Sequence, residues 1–214
     1  MRPPRTVRSA EAFGRVRLSQ SFFMRDFLFS EIAAIEGFAN LPDDPELAIA
    51  AGRGLCEHLL EPLQATFGRL AIRSAYRSPA VNAYGNAQGL NCASNARDLA
   101  RHIWDRRDRD GMGAMACIVV PWLVDRLAGG TSWQAMAWWI HDHLPYSELQ
   151  FFPKLCAFNI GWHEVPKRTI YSFIPPRGYL TKPGFDNYAG DHSRFYAGFP
   201  RRVGARRPRS AVAS

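Results

Sequence analysis

The stretch Ser74-Ala-Tyr-Arg-Ser-Pro-Ala-Val-Asn82 lies where a short strand gives way to a helix. Upstream, residues 69–74 alternate apolar and polar side chains, which is typical of a half-buried strand. Downstream, Ser78 followed by Pro79 is a common helix start. Arg77 stands at the junction, where its planar guanidinium could bind a carboxylate through two hydrogen bonds or simply bond the carbonyls of the turn.

Helical patterns precede this junction. Residues 22–38 place apolar side chains at helix-like, imperfect spacing, which indicates one helical stretch. A longer helix is predicted from Pro45 to about Phe67, with a cap at Asp43 or Asp44 and a kink at Pro62.

Strand patterns follow the junction, after an irregular segment over residues 87–112 that is rich in Asn, Gly, Asp and Arg. Loops of that length are uncommon in domains unless they are functional. A helix capped by Ser132 carries a cluster of tryptophans that we assign to the core. The predicted strands are Gly113–Val120, Tyr146–Phe152, Cys156–His163 and Arg168–Phe173. Helices followed by a small set of strands predict an α+β fold.

The net charge is concentrated near the C-terminal end. The 214 residues include 27 Lys and Arg against 19 Asp and Glu, a formal net charge of +8. Five arginines fall in the last fourteen residues, and without them the charge is only +3. We expect a flexible basic lead-in over 1–20, one domain over 21–190 and a basic, disordered tail over 191–214. No nucleic-acid module accompanies the tail, so nucleic acid is not the expected partner.

Composition also excludes several classes of protein. Apolar residues make up 47% and charged residues 21%, which is globular composition. The longest apolar run, residues 115–124, is broken by Pro121 and is too short to span a membrane, which takes about twenty residues. The basic N-terminus leads into no apolar segment, so we expect no signal peptide and synthesis in the cytoplasm. The four widely spaced cysteines are expected to be reduced.

Two histidines and a cysteine are candidates for a metal site. His102 lies in the irregular segment, Cys117 on a predicted strand, and His163 at the end of a later strand. Imidazole and thiolate are both zinc ligands, and a site with three protein ligands leaves a position open for water. Zinc lowers the pKa of that water to about 7, which supplies hydroxide at neutral pH.

Taken in order, these features resemble the zinc D-Ala-D-Ala carboxypeptidases of peptidoglycan, which share a fold with the hedgehog signalling domain. The family pattern is a helical N-terminal part, a Ser-Gly-Tyr-Arg-Ser segment with a following Asn, a His, an Asp on a strand after a Gly-x-Ala turn, and a Trp-x-His on a later strand. The resemblance spans roughly residues 22–173. It implies N-terminal helices packed on a small, mainly antiparallel sheet. Ser74-Ala-Tyr-Arg-Ser with Asn82 matches the first element, and His102, Cys117 and Trp162-His163 follow in the order of the later elements.

The resemblance implies a Zn²⁺-dependent peptidase that acts on peptidoglycan peptides. It makes His102 and His163 the histidine ligands of zinc. It makes Arg77 a contact to the carboxylate or carbonyl of the substrate, with Ser74 and Asn82 in the same substrate-binding segment. By the same analogy, a peptidoglycan enzyme without an export signal would reach the wall by release on lysis or inside a phage-type particle.

The chain departs from the family at the third ligand. Cys117 stands where the ligand Asp is expected, and fourteen residues separate it from His102 where the family has a shorter spacing. A Cys still binds zinc, as a softer ligand than Asp. Asp105, Asp108 and Asp110 follow His102 closely and are rival third ligands, or else a solvated run of charge.

The catalytic carboxylate is a second departure. The family places a Glu shortly before its last ligand His, to deprotonate water and then protonate the leaving amine. Here Glu148 is the candidate, although it lies earlier than the family pattern has it. Glu164 directly follows His163, but neighbouring strand residues point to opposite faces, so Glu148 is preferred.

Two functions follow from these observations. The first is a zinc-dependent peptidase of the D-Ala-D-Ala carboxypeptidase type. The alternative is a degenerate, non-catalytic homologue that binds cell-wall peptide or a protein partner. His141 and His143 lie two residues apart on a predicted helix, where their side chains diverge, and are assigned structural roles.

Overall fold

Six strands form one mixed sheet in the computed structural model, which describes residues 1–203. The spatial order is β1-β2-β4-β3-β5-β6, and β3 and β5 are the parallel pair while the other neighbours are antiparallel. The fold is therefore α+β with a mainly antiparallel sheet, as predicted. The strands are β1 (Ala71–Ser74), β2 (Gly113–Val119), β3 (Glu148–Phe151), β4 (Phe158–His163), β5 (Thr169–Ser172) and β6 (Gly178–Thr181).

Helices pack against one face of the sheet and form much of the chain between the strands. They are α1 (Val7–Gly14), α2 (Glu31–Glu36), α3 (Pro45–Leu55), α4 (Glu61–Phe67), α5 (Pro79–Ala87), α6 (Asn95–Asp98), α7 (Pro121–Leu127) and α8 (Trp133–His143), with short 3₁₀ turns at Met24–Phe27 and Ser193–Tyr196. No helix among residues 1–203 is both long enough and apolar enough to cross a bilayer.

The predicted long helix before the junction is confirmed. It starts at Pro45, with the Asp44 side chain accepting a hydrogen bond of 3.0 Å from the backbone N–H of Leu47. A π-helical turn at Cys56–Leu60 joins α3 to α4 just before the proline where the kink was predicted. Gly68 ends the helix at a φ of +82°, a conformation that favours glycine.

Residues 22–38 fold differently from the single helical stretch expected. The chain forms a 3₁₀ turn at Met24–Phe27 and then α2, which Ser30 caps by accepting from the N–H of Ala33. A capping residue in the middle of the stretch interrupts the helix, because its extended backbone starts a new one.

Alternation along the strands gives the sheet two different faces. One face carries the core and packs against α3, whose Gly54 lies directly under the ring of Trp162. The other face carries the polar residues of β2, β3 and β4. The core face is built from Ala114, Ala116, Ile118, Phe158, Ile160, Leu149 and Phe151.

Both ends of the described chain pack on the domain, unlike the flexible lead-in and disordered tail expected. The lead-in contains α1, and Phe13 and Leu18 are buried in the core. The segment 191–203 crosses α8, where the indole N–H of Trp139 donates to the carbonyl of Pro200 at 3.2 Å. The free energy gained by burying these apolar side chains thus holds both segments on the domain, although arginines surround them. The tail arginines Arg206, Arg207 and Arg209 lie outside the described residues.

We expect Gly54→Ala to destabilise the fold, although alanine is the better helix former. A Cβ at this position would lie 2.4 Å from the Trp162 ring, so strand and helix must separate. The expected loss in the free energy of unfolding is about 1–3 kcal/mol, measured by urea denaturation. Arg53→Ala, on the exposed side of the same helix, is the control and should change stability little. Equal or greater stability of Gly54→Ala would contradict the packing described.

Candidate functional site

A row of side chains crosses the polar face of the sheet through four neighbouring strands. In register, Ser74 of β1 faces Cys117 of β2, Cys117 faces Asn159 of β4, and Asn159 faces Gln150 of β3. We call these four residues the sheet row. Because residues directly opposite each other point to the same side, the four side chains form one continuous floor.

His102 lies against the sheet row. Its Nδ1 is 2.7 Å from the carbonyl of Ala75, which can only accept, so this nitrogen carries the proton. The ring faces the side chain of Asn159. Burial and the nearby Arg77 guanidinium hold the pKa of His102 well below its usual range. His102 is therefore neutral, and its Nε2 keeps a lone pair.

Cys117 is a protonated thiol in this setting. Burial raises its pKa to about 11, although the charges of Arg73 and Arg77 act in the opposite direction. A thiol with that pKa is a weak nucleophile near neutral pH, because the thiolate is the reactive form. All four cysteines of the chain are unpaired.

Asn159 and Gln150 complete the row and were missed by sequence reasoning. The Asn159 amide N–H donates to the side-chain oxygen of Gln150 at 3.0 Å. Neither residue belongs to the motif that drew attention to the later strands. The signal that could have found them is the pairing of β2 with β4, which places Asn159 opposite Cys117.

Arg77 is held by its own protein. Its guanidinium pairs with Asp98 at 2.9 Å and donates to the Cys92 sulfur at 3.3 Å, and only 11% of the side chain is exposed. Burial raises the pKa of Asp98, and the Arg77 charge opposes that rise. The predicted substrate contact is thus part of a buried ion pair beside His102.

Asn82 supports the loop that carries these residues. It is fully buried and donates to the carbonyl of Ala93 and to the side chain of Asn95, both at 2.9 Å. Of the predicted substrate-binding residues, Ser74 alone belongs to the sheet row. Asn82 contributes only by holding the neighbouring loop in place through its hydrogen bonds.

His163 lies at the other end of β4, opposite Gly113, and not beside Cys117. It lies four positions along the strand from Asn159, a distance of roughly 13 Å. Its Nδ1 accepts from the N–H of Val165 at 2.9 Å, so Nε2 carries the proton and donates to Asp108 at 3.1 Å. Both ring nitrogens are occupied, and the structure brings His102 and Cys117, but not His163, to the sheet row.

The predicted base Glu148 sits in a cluster of charged side chains near His163. It faces Gly161 on the sheet and forms ion pairs with Arg101 and with Lys167, whose Nζ lies 3.3 Å from the carboxylate. The Glu148 carboxylate is thus already paired with two cations of the protein. Glu164, the other candidate base, accepts from the N–H of Met112 at 2.7 Å, away from the row.

The rival aspartate ligands also have other partners. Asp105 is buried and accepts from the backbone N–H of Asp43 at 2.8 Å. Asp108 accepts from His163 and from the N–H groups of Asp110 and Gly111. Asp110 is exposed and pairs with its neighbour Arg109.

One group of possible metal ligands is found among residues 1–203, and it lies elsewhere, at His141, Asp142 and His192. Its four ring nitrogens are already hydrogen-bonded. His141 contacts the Tyr146 hydroxyl at 2.7 Å and the Tyr188 carbonyl at 2.8 Å. His192 contacts Asp142 at 2.7 Å and the carbonyl of Asn187 at 3.0 Å. These bonds fasten the C-terminal segment to α8 and explain the group without a metal.

The residues of the sheet row do not fit a catalytic zinc ion. His102 and Cys117 are suitable donors, since the neutral imidazole has a lone pair on Nε2 and the thiol would lose its proton on a metal. A catalytic zinc needs three protein ligands, and the third position holds the amide of Asn159. An amide oxygen is a hard ligand that suits calcium or magnesium better. No carboxylate base occupies the row, because Gln150 stands there.

We expect Asp108→Asn to weaken the fold by about 1–2 kcal/mol at pH 7, through the hydrogen bonds that Asp108 accepts. Partial burial disfavours its charge, but the N–H of Asp110 and the His163 contact prevail and lower its pKa below the usual 3.8. A carboxylate whose pKa falls on folding stabilises the protein above its ordinary pKa. That contribution is lost as the pH falls through the lowered value.

The measurement is chemical denaturation between pH 2.5 and 7 for both proteins. The two stabilities should converge at the acid end. The control is Asp110→Asn, a change in an exposed ion pair that should cost less than about 0.5 kcal/mol. A constant difference across the pH range would contradict the role given to Asp108.

Comparison with protein families, with curated proteins and with solved structures finds no match for this chain. The family resemblance thus rests on the sequence motifs alone.

Proposed function

We propose that this chain binds cell-wall peptide on the sheet row and does not hydrolyse it. One observation carries the proposal: two neutral amides, Asn159 and Gln150, stand beside Cys117 and His102. A hydrolytic zinc site needs a third good ligand and a carboxylate there. An amide takes no proton from water near neutral pH.

The sheet row is well suited to holding a peptide backbone. Each amide of Asn159 and Gln150 offers both a donor and an acceptor, and the Ser74 hydroxyl offers the same. An extended peptide presents alternating N–H and C=O groups, which these side chains match. Because the floor is neutral, the ligand does not have to be charged where it crosses the row.

Arg73 supplies a cation at one end of the row. Its side chain is exposed, it lies close enough to influence Cys117, and it forms no ion pair among residues 1–203. A terminal carboxylate is the group that such a cation would hold. Arg77 is engaged with Asp98, so its part is to position His102 and the loop.

We expect the purified protein to bind a stem pentapeptide ending in D-Ala-D-Ala without releasing D-alanine, with or without added zinc. Calorimetry measures the binding, and a D-alanine assay measures hydrolysis. Arg73→Gln should weaken binding about threefold to tenfold, by removing a partly exposed charge pair. Arg69→Gln, an exposed arginine just before the same strand, is the matched control. Release of D-alanine would overturn the proposal in favour of the zinc peptidase.

A gain-of-function experiment tests the geometry itself. Cys117→Asp combined with Asn159→His should give the protein one tightly held zinc ion, since both changes add good ligands beside His102. Metal content after dialysis, measured by mass spectrometry, should be near one equivalent in this variant and far below it in the natural chain. Adding His102→Ala should abolish the zinc. A folded double variant that stays free of zinc would contradict the convergence of these three residues.

A further inference from the structure

Four aromatic side chains continue the sheet row across the outer strands. Tyr171 of β5 stands beside Gln150, and Tyr179 of β6 stands beside Tyr171 with ring centroids 5.2 Å apart. Phe173 lies 5.0 Å from Tyr171 and is stacked on Phe152 at 5.3 Å. We call Phe152, Tyr171, Phe173 and Tyr179 the aromatic platform. It shares the polar face of the sheet with the sheet row.

The platform is open to solvent. Tyr179 is 49% exposed and the other three rings are half-buried. Aromatic side chains of this size normally contribute to the core, and here the core is built on the opposite face of the same strands. A contiguous exposed aromatic surface of this kind marks a binding site.

One cation contacts the platform, and two more follow or precede its strands in sequence. Lys182 lies over the Tyr179 ring, with Nζ 4.8 Å from its centroid, while Lys154 and Arg177 occupy the exposed turns at the ends of the neighbouring strands. None of the three forms an ion pair among residues 1–203. The platform therefore combines apolar ring faces with positive charge that has no internal partner.

We infer that the aromatic platform binds a carboxylate-bearing polysaccharide. The C–H hydrogens on one face of a sugar ring carry slight positive charge and pack against the negative face of an aromatic ring. The hydroxyl and amide groups of the sugar meet the amides of Gln150 and Asn159 on the adjoining floor. Its carboxylates pair with Lys154, Arg177 and Lys182.

The charge distribution favours this ligand over a single-stranded nucleic acid. A polynucleotide carries a phosphate at each nucleotide and needs a groove that stays positive along its path. Beyond Gln150 the sheet row itself is neutral, and the nearby Arg77 and Arg101 are paired with Asp98 and Glu148. Arg73, at the far end of the row, forms no ion pair among residues 1–203. A sugar chain with spaced carboxylates matches a surface on which a neutral stretch separates the unpaired cations.

The inference rests on the proposed function, since a cell-wall peptide is joined to a glycan strand through an amide of a sugar carboxylate, and the sugar units without a peptide keep that carboxylate free. It predicts binding of the glycan itself, so its failure is distinct from a failure of peptide binding. The probe is peptidoglycan glycan strands freed of their peptides by an amidase, and calorimetry measures the affinity. The neutral comparison ligand is a chitin oligosaccharide, and oligothymidylate is the nucleic-acid comparison.

We expect the glycan strands to bind more tightly than chitin oligosaccharides, and oligothymidylate to bind more weakly than both. Tyr179→Ala should weaken glycan binding about threefold to tenfold through loss of stacking. Lys182→Gln should weaken it to a similar degree and reduce its dependence on salt. Neither change should alter the affinity for the free stem pentapeptide.

A second pair of residues provides matched controls outside the platform. Arg194 lies over the ring of Phe195, which is 44% exposed, so this pair repeats the cation-on-aromatic arrangement of Lys182 and Tyr179. Phe195→Ala and Arg194→Gln should leave glycan binding unchanged. Absence of glycan binding, equal losses in the control variants, or preference for oligothymidylate would overturn the inference. Circular dichroism confirms that each variant is folded.

Discussion

The pairing of β2 with β4 at the centre of the sheet is the constraint on which the site depends. Its antiparallel register sets Cys117 opposite Asn159 and Gly113 opposite His163. A slip of two residues would keep the core faces together but would change which polar side chains meet beneath His102. The close fit of Gly113 against the His163 ring and the carbonyl of Ala100 leaves no room for such a slip, since even a Cβ there would lie 2.4 Å from that carbonyl.

Periodicity and capping were sufficient to predict the elements but not their lateral partners. The helix from Pro45 to Phe67 and the central strands follow from local pattern, which is carried by neighbours in sequence. The position of His163 follows from strand register, which is a property of two distant segments. The Trp162-His163 dipeptide resembles a ligand motif, yet the Trp162 side chain packs against the core, directly over Gly54.

The two ends of the described range, residues 1–20 and 191–203, show the same limit of prediction from local sequence. Arginine-rich composition predicts flexible ends, whereas a few well-placed aromatic residues are enough to fasten them. Phe199 packs against Phe67 and Trp122, with centroids 5.9 Å and 4.8 Å away. His192 stacks on Trp138 at 4.1 Å. Such contacts depend on where α8 lies in space, and composition alone carries no record of that.

The segment between His102 and Cys117, which is longer than in the family pattern, explains why the polar face divides into two parts. It supplies Asp108, which accepts a hydrogen bond from the protonated Nε2 of His163. Asp108 also lies near Lys167, which forms an ion pair with Glu148. At this end of the sheet, His163 and Glu148 are therefore already held by hydrogen bonds and ion pairs within the protein. The groups of the sheet row and of the adjoining His102 are a neutral imidazole, a hydroxyl, a thiol and two amides.

The cost of burying unpaired charge explains why the polar face is divided into a charged part and a neutral part. Unpaired charges are costly when they are buried, and the buried charges near the sheet row, Arg77 and Asp98, are paired with each other, whereas the unpaired Arg73 is exposed. Neutral amides cost less to leave facing solvent, and they form hydrogen bonds with a ligand without first giving up an ion pair. A floor of that kind offers donors and acceptors to a polar ligand, which is the property on which the proposed recognition of a peptide rests. The aromatic platform adds apolar area beside Gln150, where the polar row ends.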